Sequence, residues 1–128
     1  MSNEQTILDL VATWEHGNEE FNARVRELFT DDCTWVQPGL PTTTGPQEAV
    51  DLANGMEAVG VKAIRVTIVS SATSADGDTV FTERIDDVIA ADGSLMGSVP
   101  AVGVTEFRDG KICAWREYFD TATLAPPS

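Results

Sequence analysis

VFTERIDDVIA, residues 80–90, is the stretch on which the fold turns. Read with period two it is a β-strand: Val80 and Val88 fall on one face, and Phe81, Ile85 and Ile89 on the other. A strand that is apolar on both sides belongs to a sheet covered twice, here by the chain's own helices and by a second subunit. Arg84 and Asp86 share the face of Val80 and Val88. Charges two residues apart on a strand are common on solvated faces. The spacing alone therefore fits a surface ion pair as well as a cation and a carboxylate aimed into a pocket.

Outward from this strand the pattern continues. From Val61 onward the hydrophobic period is two, and three Asp-Gly turns, Asp76-Gly77, Asp92-Gly93 and Asp109-Gly110, separate long β-rich runs. This predicts an antiparallel meander of four strands, the last running from Lys111 to Asp120. Pro100 and Gly103, inside the third run, predict a bulge or bend. Upstream the period is helical. Ile7, Leu10, Val11 and Trp14 form one stripe from Asn3 to about His16, ended by Gly17-Asn18. Phe21, Val25, Leu28 and Phe29 form a second stripe from about Glu19. Thr30-Asp31-Asp32 breaks it before a short strand, Cys33-Thr34-Trp35-Val36. A third helix starts at Gly45-Pro46, buries Ala49, Val50, Ala53 and Met56, and stops at Gly60. Helices first and a curved antiparallel sheet second predict a single α+β domain over residues 1–128, cone-shaped, with the concave face lining a pocket. Leu52, Met56, Ile64, Val66, Leu95, Met96, Val99 and Val102 are candidates for its apolar wall, although each fits an ordinary core position as well.

Composition removes several functions. Eight Lys+Arg against 21 Asp+Glu give a net charge of −13, the wrong sign for a nucleic-acid surface or an anionic membrane. No apolar run approaches the ~20 residues of a membrane helix. Cys33 and Cys113 have no metal-ligand spacing, and no signal stretch opens the chain, so a reduced, cytoplasmic setting is expected. No glycine-rich phosphate loop and no nucleophile elbow occur, and the only histidine, His16, lies beside a helix-ending glycine. Asp31-Asp32 and Asp86-Asp87 are adjacent pairs, whose side chains point to opposite faces of a strand. Neither metal nor cofactor is implied.

The run from VFTERIDDVIA through GVTEFRDGKICAWREYFD resembles the limonene-1,2-epoxide hydrolase family, with its E-R-x-D strand and its ending G-x-W-R-D-Y-F-D. Upstream, DDCTWVQPGLPTTTG, residues 31–45, resembles the family's acidic pair, aromatic residue, amide two residues later, proline-rich loop and glycine. The resemblance covers nearly the whole chain. It implies the cystatin-like cone, also called the nuclear-transport-factor-2-like fold, a homodimer, and one-step addition of water to a small lipophilic epoxide without a cofactor. Position by position, it implies that Asp86 is the general acid, Asp120 the base that deprotonates water, and Arg84 the bridge between them.

That assignment has a physical rationale. Two buried carboxyls clamped by one guanidinium retain a proton between them, so the pair holds an acid and a base at once. An epoxide needs both, because its oxygen leaves poorly unless protonated while its carbon needs a nucleophile. The family positions the water with an aromatic hydroxyl, usually tyrosine, and an asparagine; this sequence has Trp35 and Gln37 there. Glutamine keeps the amide but reaches one methylene further, and tryptophan offers an N–H and no acceptor. Trp35 also fits a core aromatic. The competing expectations are an epoxide-opening cyclase or an isomerase on the same cone, and a non-catalytic module that binds a lipophilic ligand.

Overall fold

The computed structural model describes residues 2–124. Two helices open the chain and a third follows the first two strands. Helix α1, Asn3–Thr13, is capped by the Ser2 hydroxyl, which accepts from the Gln5 N–H at 3.0 Å, and it buries Ile7, Leu10 and Val11. A 3₁₀ turn, Trp14–His16, extends it and buries Trp14. Helix α2, Asn18–Leu28, buries Phe21 and Val25, and helix α3, Gly45–Ala58, begins with proline in its first turn and buries Ala49, Val50 and Ala53. The stripes predicted from the 3.6 period face the core, except that Phe29, counted in the second stripe, opens a strand that runs through the predicted break at Thr30-Asp31-Asp32.

The sheet has six strands, the predicted meander of four and two more, one of which contains the predicted short strand at 33–36. They are β1 (Phe29–Val36), β2 (Thr43–Thr44), β3 (Val61–Thr73), β4 (Thr79–Ala90), β5 (Leu95–Arg108) and β6 (Lys111–Phe119), in the order β2-β1-β6-β5-β4-β3. The predicted meander is β3 to β6. What the turn signals did not announce is that β1 joins it, parallel to β6 with Trp35 beside Trp115, and that β2 pairs with β1. A parallel partner leaves no hairpin signature, since its two strands are far apart in sequence.

The predicted bulge at Pro100 and Gly103 lies elsewhere. Ile85↔Pro100 and Thr82↔Gly103 stay in register, and the shifts fall between Val88 and Ile89 and between Glu106 and Phe107. Pro100 is tolerated because the pairing with β6 ends one residue away, at Ala101↔Phe119. In the β5–β6 turn both Asp109 (φ 54°) and Gly110 (φ 80°) have positive φ, as a tight hairpin connection needs.

Strand β5 shows how cleanly the faces separate: Val99, Ala101, Gly103, Thr105 and Phe107 are buried, and Pro100 and Val102 between them are exposed. The buried face meets the helices in an aromatic core. Trp14 stacks on Phe21 with centroids 4.1 Å apart, Trp35 stacks on Trp115 at 5.0 Å, and Phe29 stands edge-on to both Trp35 and Trp115.

Candidate active site

Arg84 and Asp86 project from β4 onto the concave face. Arg84 is 2% exposed and Asp86 13%. The ladder puts Asp86 between Val66 of β3 and Val99 of β5, two apolar neighbours. Arg84 directs its fork at this carboxylate: Nε donates to Oδ1 at 2.9 Å and Nη2 to Oδ2 at 3.0 Å. Nη2 also donates to a second carboxylate, and that one is Glu117 Oε2 on β6. Glu117 is 2% exposed. Its other oxygen, Oε1, accepts from Trp35 Nε1 at 3.4 Å. The result is a chain Trp35–Glu117–Arg84–Asp86 drawn from three strands.

Asp120, the expected base, lies outside this chain. It follows the last residue of β6, is exposed, and accepts from the Ala122 N–H at 2.9 Å at the start of the 3₁₀ turn Thr121–Leu124. The reason is parity. Glu117 shares the buried face of Trp115, whereas Asp120 has the opposite parity and sits past the strand end. The ending Trp115-Arg116-Glu117-Tyr118-Phe119-Asp120 offers two acids, and counting in twos from Trp115 selects the first.

Of the two expected water-positioning residues, Trp35 is buried and engaged with Glu117. Gln37 is buried as well, one residue past the Val36↔Arg116 pair and therefore level with Glu117. Its Nε2 makes no hydrogen bond among the described residues. A buried amide donor without an acceptor is poised for a ligand or water. Among the expected wall residues, Val66 and Val99 flank Asp86 and Ile64 is buried further along the same face. Val102 points outward, and Leu95 and Met96 are exposed on the β4–β5 hairpin.

Burial pushes the Glu117 carboxyl above its ordinary value of 4.5, against the pull of the Arg84 charge and with the Asp86 charge adding to the rise. Burial would lower the Arg84 guanidinium, but the Glu117 and Asp86 carboxylates outweigh it and hold the group above its usual value. Arg84 thus stays a fixed cation between two carboxyls. Elsewhere, Cys33 and Cys113 are free thiols, and burial pushes Cys33 up to about 12, which makes it a core residue with no thiolate character. No group of three or more His, Cys, Asp or Glu side chains that could hold a metal ion occurs among the described residues.

A family model described as the limonene-1,2-epoxide hydrolase catalytic domain matches residues 2–126. The chain is 35% identical over 106 residues to epoxide hydrolase EphG of Mycobacterium tuberculosis, a match that covers 80% of this chain. It spans 64% of that relative's length. Among solved structures, an M. tuberculosis LEH-like epoxide hydrolase superposes with a TM-score of 0.72 at 28% identity, over 94% of this chain and 84% of the other. An NTF2-like protein of unknown function from Burkholderia pseudomallei superposes with a TM-score of 0.79 at 20% identity, over 97% and 95%, a likeness of fold.

Proposed function

The chain belongs to the limonene-1,2-epoxide hydrolase family, and from that membership we propose that it hydrolyses a small lipophilic epoxide to a vicinal diol in one step. The observation that carries this reading is the sharing of the buried Arg84 Nη2 between Asp86 and Glu117. Asp86, at the more exposed end of the chain of hydrogen bonds, protonates the epoxide oxygen as its bond to carbon breaks. Glu117 takes the proton of a water whose oxygen attacks that carbon from the opposite side. The proton count balances: one leaves Asp86, one arrives at Glu117, and exchange with solvent resets the pair. Raised by burial, Glu117 is a stronger base than a solvated carboxylate. Gln37 Nε2 offers a donor for the attacking water, and Trp35 holds Glu117. Val66 and Val99 supply an apolar setting in which an uncharged substrate displaces water at little cost. Arg84, Asp86 and Glu117 form the whole proton path, which calls on no cofactor.

Two further parts of the reading concern the setting. Val69, Phe81, Val102 and Tyr118 leave large apolar surface exposed on the outer face of the sheet, and the occupant that fits is a second copy placed by a twofold axis, the same patch against itself. The free thiols and the acidic surface suit a reducing, cytoplasmic setting.

The test is a screen of cyclic and terpene epoxides for diol formation, followed by a single turnover in ¹⁸O-water with enzyme in excess. The expected result is heavy oxygen in the first-turnover diol and none in the protein. An unlabelled first diol, with ¹⁸O appearing later in a peptide that contains Asp86 or Glu117, would replace this mechanism with a covalent one. Because Trp35 gives its N–H to Glu117 and offers no acceptor to water, one competing outcome is specific: ring closure of a hydroxy-epoxide without diol would make the enzyme a cyclase.

A further inference from the structure

Gly103 lies in the middle of β5, is not among the glycines with positive φ, and so is not required by the path of the backbone. Glycine inside a strand weakens it. The register shows what stands over this residue. Arg84 on β4 pairs with Ala101, whereas its second partner, Glu117, is on β6 opposite Gly103. To reach Glu117 the guanidinium must cross β5, and it crosses at Gly103. A Cβ there would lie 2.9 Å from Arg84 Nη1, 2.9 Å from Thr82 Oγ1 and 3.4 Å from Trp115 Nε1. Carbon and nitrogen do not settle this close, since favourable separations begin at about 3.5 Å. Thr82, directly opposite Gly103 and also 2% exposed, is the other close neighbour. Arg84 cannot move without giving up bonds to Asp86 and Glu117 in a site where it is 2% exposed. Nη1 itself makes no hydrogen bond among the described residues, so contact, not bonding, fixes that end of the guanidinium.

We propose that Gly103 is a positioning residue for the reaction: the missing methyl is the seat on which the Arg84 guanidinium lies, and it sets the tilt that lets one nitrogen serve both carboxyls. The proposal rests on Arg84 as the bridge of the proposed proton path, and its test includes a measurement independent of turnover.

Gly103→Ala should fold and lose about 10²-fold in kcat, the scale of a misplaced catalytic group, with KM little changed. The acid limb of its rate profile should move upward, because Glu117 then loses the cation that opposes the rise caused by burial. Unchanged kcat and an unchanged profile would overturn the proposal, as would a crystal structure of the variant with Arg84 still bonded to both carboxyls. Independently of any substrate, urea unfolding of the wild type, Gly103→Ala, Arg84→Lys and the double variant gives the coupling. Lysine has no Nη1, so Gly103→Ala should be far better tolerated in the Arg84→Lys background, and the double variant should fold even where Gly103→Ala alone does not. An equal loss in both backgrounds, or an equally unfolded double variant, would mean that the methyl clashes with something other than the guanidinium, and the seat would be rejected. A coupling found in a protein that hydrolyses no epoxide would retain the seat and discard the reaction.

Discussion

Glu117 and Asp120 stand three residues apart at one strand end, the first sealed against a guanidinium and an indole, the second exposed beside a turn. The proposed proton path separates them. Glu117→Gln and Asp86→Asn should each lower kcat by about 10²–10⁴-fold, the usual worth of a general base or acid, while Asp120→Asn keeps most of the turnover; diol formation under saturating epoxide measures all three. The pH dependence carries its own sign. Because burial raises Glu117 in the folded protein, the folded state binds its proton more tightly than the unfolded chain does. Stability from this group is therefore complete below the ordinary value of 4.5 and falls as pH rises through the raised one. Urea midpoints from about pH 4 to about 8 should show that decline in the wild type and a flatter course in Glu117→Gln. The rate should rise over the same window as the base ionises. The placement of Arg84 beside Asp86 on one face was legible because a strand's parity sets it. That Glu117 and not Asp120 meets Arg84 was hidden by an aspartate that fits the motif better by residue type, and the alternation running from Trp115 tells the two positions apart.

At the scale of elements, β1 carries two duties in one residue. Trp35 stacks on Trp115 with rings 9° from parallel, and its N–H reaches Glu117. These duties separate by substitution. Trp35→Phe keeps an aromatic against Trp115 and removes the donor, so turnover should fall more than stability does. Trp35→Ala empties the centre of the core and should cost about 3–5 kcal/mol, read from the shift in urea unfolding. The helices and the meander were readable because their signals are local: stripes every three or four residues, and Asp-Gly pairs between alternating runs. Strand β2 is two residues long, and the pairing of β1 with β6 joins distant parts of the chain. Neither leaves a local pattern. The bulges escaped for a related reason. Pro100 and Gly103 were the conspicuous residues, yet an open edge accommodates the first and the arginine's passage accounts for the second.

For the whole molecule, the outer face of the sheet makes the proposed pairing of two copies testable. Phe81→Glu and Val102→Glu place charges into that apolar surface, and sedimentation should show a slower, monomeric species for each at concentrations where the wild type is paired; a wild type that sediments as a monomer removes the second copy from the reading. No helix among the described residues is long and apolar enough to cross a membrane. The parallel pairing of β1 with β6 has a last consequence, in time. The hydrogen bond between Trp35 and Glu117 spans 82 residues of sequence, so the loop it closes is among the most entropically expensive in the fold. Helix α1 and the hairpins assemble from neighbours, and the proposed proton path cannot exist until β6 docks beside β1. Refolding should accordingly show secondary structure forming ahead of the Trp35–Trp115 stacking signal, with recovery of hydrolysis tracking the slower event. A chain stalled in synthesis before residue 117 would lack Glu117 and with it the base of the proposed proton path.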